Sequence, residues 1–478
     1  MRTKYGVLVS VICWLLFSCS YSVQVAVEPK MATITVDGLP VENGAMVRTR
    51  EKVVLVRAEA EGYQPFEEQF VNKAFGKNQY VITLHKKTFS VHIETVVGSS
   101  AVYEQNRLLG QTPCDVVLEY GMHVLTLSRT DYADETCRID VRENGSYTFQ
   151  HHKEGTPFQA MGIFSCGVQP KQVIFSPDDD YILIPLLGER GFDVFSLSKL
   201  RMIKRIEPPD PSKQTGYPEG LFLKERNVFW VSQMTTSSIY EYSWPALEYK
   251  RTIPTGGVWS KYITWHSEKK IAAISNWLSN TVSIINPESG DIIKKLPTAA
   301  VPRGLAFTKD GKYLVVTAFE GGRISLFDTD TWKEIKYIQK AGSNMRHAVL
   351  SPNDRFLYVS DMGNNMVYEI AMDTFTITEW YEVDHNPNTI DISPDGKLLI
   401  VSCRGPNNPV SYLIRSPRSG YIVVIDVEQK RVVAMFSGGN QPTGLDISNN
   451  GKYLCFSNFL DNTIELFYLG DYNANYSK

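Results

Sequence analysis

Catalytic signatures are missing from this 478-residue chain: it contains no Gly-x-Ser-x-Gly, no His-Glu-x-x-His and no glycine-rich phosphate loop. A nucleophile elbow, a zincin helix and a nucleotide cradle are therefore not expected. Cysteine is scarce, with seven in all, and none falls in a C-x-x-C pair or a C-x-x-C-H haem attachment. Of the five beyond residue 20, Cys114 and Cys137 share one small region and suit a pair. The alternative is that all five, with Cys166, Cys403 and Cys455, are small buried hydrophobes. Basic charge is not in excess either. The formal net charge is -3, which gives no global argument for nucleic acid. Long apolar runs are absent apart from one at the start.

That run covers residues 5–17, follows Met1-Arg2-Thr3-Lys4 and precedes the small-residue zone Ser18-Cys19-Ser20. A basic start, a short apolar stretch and small residues describe a secretory signal peptide over 1–18. Thirteen residues fall short of the roughly 20 needed to cross about 30 Å of hydrocarbon. Leu16-Phe17-Ser18-Cys19 resembles a bacterial lipobox, although Phe17 departs from the usual small or branched residue. The resemblance implies lipidation at Cys19, hence an exported, membrane-anchored lipoprotein facing the periplasm or the cell surface. Cleavage after Ser22 without a lipid is the alternative.

What is present is β-rich and turn-rich: aromatics make up 12%, and there are 33 glycines and 24 prolines. Residues 24–86 alternate with a period near two in segments 32–36, 52–59 and 79–84, and residues 88–150 repeat the plan. Gly110-Gln111-Thr112-Pro113, Tyr120-Gly121-Met122-His123 and, in the first copy, Glu61-Gly62-Tyr63-Gln64-Pro65 resemble the PEGA domain, a small β-sandwich of envelope proteins. The resemblance implies a spacer or carbohydrate-facing module, with His123 a hairpin residue.

The remainder, 157–470, has a period. Equivalent segments start at Gln169, Tyr217, Trp259, Val301, Asn344, Asn386 and Gln441, at intervals of 48, 42, 42, 43, 42 and 55 residues. A repeat near this length, holding four short strands, predicts one blade of a β-propeller. Tight turns recur at Ser176-Pro177-Asp178, Ser351-Pro352-Asn353, Ser393-Pro394-Asp395-Gly396 and Ser448-Asn449-Asn450-Gly451, where the aspartates serve the turn. The last repeat supplies three strands, so residues 158–164 are expected to complete it and close the ring. The fold class is all-β: a seven-bladed β-propeller preceded by two small β-sandwich modules, with a polar tail at 471–478. Val301-Pro302-Arg303-Gly304, Asn386-Pro387-Asn388-Thr389 and Gln441-Pro442-Thr443-Gly444 resemble the YVTN family of seven-bladed propellers, relatives of YncE-like proteins. That family implies binding more than chemistry, though neighbouring propeller families include lactonases.

Aligning the repeats puts Lys171, Glu219, Lys261, Arg303, Arg346, Asn388 and Thr443 at one position beside the expected channel mouth. Cations gathered in a concavity focus field on an anion. The bland alternative has them neutralised by Glu219, Glu320 and Asp361. His347 is a candidate polar contact, Trp259 and Trp277 are candidate ligand platforms, and Phe319 and Phe459 read as packing caps. The long last interval marks an insertion over 404–418 that brings Arg404, Arg415 and Arg418, with Tyr412 and Leu413, to the same face. The expected function is a non-catalytic envelope binding or scaffold protein whose ligand is an anionic glycan, peptidoglycan or a partner envelope protein. The alternatives are a lactonase with His347 as acid, Glu219 as base and Arg303 and Arg346 as clamps, or a purely architectural role. No cofactor, metal or nucleic-acid partner is expected.

Overall fold

The computed structural model describes residues 20–74, 76–156, 158–209 and 214–470. The expected signal peptide, Cys19 and the polar tail lie outside the described residues. The chain divides into two compact units, and the second takes in Thr95–Ser99 and Ser128–Glu135 together with everything from Phe149 onward.

In the first unit each small module has seven strands in the same arrangement. The first pairs a three-stranded sheet, in which Tyr21–Glu28 lies between Met46–Thr49 and Asn78–Thr83, with a four-stranded sheet containing Thr33–Val36 and Val53–Glu59. The second repeats this with Thr88–Thr95 between Cys114–Glu119 and Gly145–Phe149. Strict alternation puts Val23, Val25 and Val27 against Ile34, Val54 and Val56 in one core, each such burial worth about 1.5–3 kcal/mol. Cys114 and Cys137 sit on strands of opposite sheets of the second module, and their sulfurs are not joined. His123 bonds Glu104 Oε1 at 2.6 Å and the Glu119 carbonyl at 2.8 Å, which ties it into its hairpin. Gly62, at φ +79°, leaves room that a Cβ would take from the Tyr120 ring.

The second unit holds seven four-stranded antiparallel sheets among the described residues. In each, the second strand is buried on both faces and reads as an apolar run, as in Ile271–Asn276 and Leu398–Cys403. The fourth strand is the more exposed one, and in blade four, Glu334–Gln339, it is polar, a composition that discourages edge pairing. The seventh blade is completed from ahead of the first. Gln159–Ser165 pairs antiparallel with Thr463–Tyr468, from Gln159 opposite Tyr468 to Ser165 opposite Thr463. Blade seven also bonds directly to blade one, where Phe175 N–H donates to Asp446 Oδ2 at 2.7 Å and Asn449 N–H to Asp179 Oδ1 at 2.8 Å. The recurrent turns are held as expected of turns: Lys397 N–H donates to Asp395 Oδ1 at 3.1 Å, and Ser393 Oγ–H to the same oxygen at 2.6 Å.

Candidate functional site

In blades three to seven the innermost strand begins with a bulge. In blade three the ladder shifts between Ser260 and Ile263, in blade five between Met345 and Ala348, and in blade six between Pro387 and Ile390. A bulge leaves backbone groups without a ladder partner, and a serine of the second strand takes them up. Ser275 Oγ accepts from Tyr262 N–H at 3.1 Å and donates to the Arg303 carbonyl of the next blade at 3.1 Å. Ser360 links His347 N–H to the Asn388 carbonyl, and Ser402 links Thr389 N–H to the Thr443 carbonyl. These straps fix an inner ring of residues: Lys171, Glu219, Lys261, Arg303, Arg346, Asn388 and Thr443.

An outer ring sits two turns of chain away. The backbone N–H of Leu187, Met234, Trp277, Phe319, Met362, Arg404 and Phe459 donates to the carbonyl of Gln169, Gly216, Trp259, Val301, Asn344, Asn386 and Gln441 respectively, at 2.8–3.1 Å. Six of those seven carbonyl residues have positive φ, including Trp259 at 57° and Val301 at 60°. A bulky or β-branched side chain rarely adopts that region, so the surroundings must hold it there.

Together the rings line a cavity of about 380 Å³, whose walls include Lys171, Trp259, Lys261, Trp277, Arg303, Arg346 and Arg404, with Tyr412 and Asn407 contributed by the insertion. The insertion is pinned in place. Arg415 pairs with Asp461, Gln441 Nε2 donates to the Tyr412 carbonyl at 2.8 Å, and Ser416 N–H donates to Asn440 Oδ1 at 3.0 Å. Arg418 turns to Asp384 instead of the cavity.

Two of the sequence candidates are placed differently. Glu219 is not on the wall; its carboxylate is paired with Arg303. His347 does not reach the cavity either. It packs edge-on against Tyr262 with centroids 5.0 Å apart, and its Nδ1 accepts from Ile390 N–H at 3.5 Å. Removal from water, then Arg303, lowers its pKa to about 3, so the ring is neutral near pH 7.

The expected neutralisation holds for one cation only. Among the described residues Arg303 has Glu219, whereas Lys171, Lys261, Arg346 and Arg404 have no carboxylate within ion-pair distance. Asp361 is occupied within its own blade by Asn344 N–H, Asn364 and Tyr368, and Glu320 is exposed. Aromatic faces do the seating. Lys261 Nζ lies 3.6 Å from the Trp277 ring centre and 5.4 Å from that of Trp259; Lys171 Nζ lies 5.2 Å from Phe459. Arg404 lies 5.4 Å from Phe459 and 5.6 Å from Tyr412. Phe319 and Phe459, read from sequence as caps, thus belong to the wall.

Burial first, and for the two lysines neighbouring arginines second, makes the charged forms costly in this recess. Lys171 is held well below the ordinary lysine value, first by removal from water and then by Arg404 and Arg303. Lys261 is lowered to about 7 by removal from water and Arg303, against the opposing pull of Glu219. Arg404 falls to about 10, chiefly through burial. Polar atoms are also left over: among the described residues the donors Arg303 Nε and Nη1, Arg404 Nε and Asn388 Nδ2, and the acceptor Asn388 Oδ1, are buried with no partner. Each such group costs about 1–3 kcal/mol until something meets it.

Leu187, Met234 and Met362 were not anticipated. Their signal was available, because each follows the second strand at the position held by Trp277 and Phe319 in other blades.

Comparison with known proteins places this architecture. Over 323 residues, 66% of this chain and 70% of the relative, the sequence is 35% identical to Antigen Lp49 of Leptospira interrogans serogroup Icterohaemorrhagiae serovar copenhageni (strain Fiocruz L1-130). The chain belongs to the family of Antigen Lp49. The PEGA domain model matches residues 88–155, and the model "Lactonase, 7-bladed beta-propeller" matches 339–433. A shorter similarity, 25% over 143 residues, links 29% of the chain to 36% of the Seven-bladed beta-propeller protein Rv1057 of Mycobacterium tuberculosis. Hydrazine Synthase of Kuenenia stuttgartiensis superposes with a TM-score of 0.55 over 63% of this chain and 96% of that one; at 15% identity the likeness is one of fold.

Proposed function

We propose that the propeller binds a small anionic ligand in its mouth without transforming it, and that the chain does so as an exported envelope protein anchored through a lipid on Cys19. The observation that carries the binding reading is the set of four cavity cations without a carboxylate, beside buried arginine N–H groups that nothing meets. A folded protein keeps uncompensated charge in a recess at a cost in stability, and a bound anion offsets it. An anionic glycan, a peptidoglycan fragment or an acidic group of an envelope protein would supply the charge. The PEGA match and the leader support the envelope setting. The hydrolase alternative has fold-level support from the lactonase model, but its acid, His347, stands off the cavity and its base, Glu219, is engaged by Arg303.

Titration calorimetry of the mature chain with glucuronate, phosphate and citrate tests the reading. At least one anion binds, and Arg346→Ala or Arg404→Ala weakens it about tenfold or more; absence of binding by every anion discards it. Mass spectrometry of the mature N-terminus, expected to show a diacylated cysteine at position 19, tests the anchor.

A further inference from the structure

The mouth offers little to a neutral or singly charged sugar. Its aromatic faces, the usual platforms for a pyranose ring, are taken by the protein's own cations: Lys261 on Trp277, Lys171 on Phe459, Arg404 between Phe459 and Tyr412. What the cavity leaves free is charge and N–H donors. Among the described residues, Arg303 spends one nitrogen on Glu219 and keeps two buried without a partner, and Arg404 spends one on Gln441 and keeps its buried Nε without a partner. The insertion roofs the space at about 380 Å³, a small-molecule volume. A single negative charge would leave most of this ring uncompensated.

We infer that the site is built for a small polyanion bearing at least two adjacent oxyanion groups, of the diphosphate or polycarboxylate type, and that Lys171 and Lys261 take up protons as it binds. The inference rests on the anion-binding reading and sharpens it. Lys261 faces Arg303, Glu219 and the two indoles, and Lys171 faces Arg404, Arg303, Glu219 and Lys261. One carboxylate among these groups does not offset burial and the neighbouring arginines, so both amines give up a proton more readily than an ordinary lysine. An incoming pair of oxyanions reverses the local field and favours the ammonium forms, so proton uptake is linked to occupancy and affinity falls as pH rises. The aromatic faces then act as seats that hold each cation in place without neutralising it.

The experiment is calorimetry of the full mature chain with four probes, inorganic pyrophosphate, citrate, inorganic phosphate and glucuronate, in buffers of different ionisation enthalpy between about pH 6.5 and 8.5. Pyrophosphate or citrate is expected to bind at least about tenfold tighter than glucuronate, with net proton uptake that shrinks in Lys261→Met. The contrast between pyrophosphate and citrate tells a phosphate source from a carboxylate source. If glucuronate binds as tightly as either, or if binding takes up no protons, the polyanion inference falls while anion binding stands. If no probe binds, both fall.

Discussion

Arginines on the outer strands of the blades and the cations around the mouth are treated in opposite ways. Outside, charge meets charge: Arg205 reaches Asp193 at 2.6 Å, Arg251 reaches Glu241 at 3.1 Å, and Arg323, which also lies 3.5 Å from the Tyr337 ring centre, reaches Glu334 at 2.6 Å. At the mouth, charge meets a π face, and among the described residues the carboxylate in reach, Glu219, goes to Arg303. Both devices position a side chain, but only the first cancels its charge. The difference separates cations whose charge the blades cancel from cations whose charge they leave, and the proposed anion site rests on the second group.

The sharpest way to break this comparison is to remove a matched carboxylate. Lys153 and Glu465 form an ion pair at 2.9 Å with side chains only 5% and 2% exposed, and Asn458 Nδ2 donates to the second carboxylate oxygen at 2.9 Å. Glu465→Ala leaves an ammonium with neither water nor counter-charge, so a loss of about 3–5 kcal/mol is expected. Denaturant unfolding followed by tryptophan fluorescence measures it. A loss comparable to that of an exposed pair would mean that matched charge is not structural here.

Glu219→Gln should come next and should split the two readouts. Arg303 loses its counter-charge at a site where both side chains are under 10% exposed, costing about 2 kcal/mol of stability. The mouth meanwhile becomes more positive, so the anion that binds the native chain should bind several-fold tighter, by about 3-fold or more. Weaker anion binding together with lower stability would show that the pair supports the ligand directly.

An unmatched cation should do the reverse on removal. Lys261 titrates at about 7 in the folded chain against about 10.4 when unfolded. Between those values the unfolded chain holds a proton that the folded chain has released, so folding stability rises with pH across that window, and the full cost is present below it. Lys261→Met abolishes this rise. The variant should be more stable than the native chain by about 1 kcal/mol near pH 7, with the gap closing toward pH 10, as read by unfolding at a series of pH values.

Much of the architecture was legible in the sequence because the blade repeats itself. A turn such as Ser393-Pro394-Asp395-Gly396 recurs at a near-constant interval, and a last repeat one strand short demands a donor from elsewhere, supplied by Gln159–Ser165. The inner ring was legible for the same reason, since seven aligned positions must share one place around an axis. Side-chain direction within a bulge was not. Arg346 and His347 are neighbours in sequence, yet one lines the cavity and the other packs edge-on against Tyr262, and aligning equivalent positions does not say which of two neighbours points inward. Nor did residue type reveal that Phe459 serves cations, because an aromatic at a loop start has the same composition whether it caps a core or carries a charge.

Trp277→Leu probes that last point, and its expected effect on stability is the smallest. The indole contacts Phe319 at 5.2 Å between ring centres and seats Lys261 at 3.6 Å. Leucine keeps apolar cover on the wall but presents no negative face, so Lys261 gains freedom instead of losing a counter-ion. A partly desolvated cation–π contact is worth about 0.5–2 kcal/mol, which corresponds to an anion affinity about 2- to 30-fold weaker once the lysine must be ordered on binding. Unfolding should change little, because the contact holds a charge and not a blade. Equal losses of stability and affinity would assign the indole to packing, and the contrast between mouth and outer strands would then rest on the arginines alone.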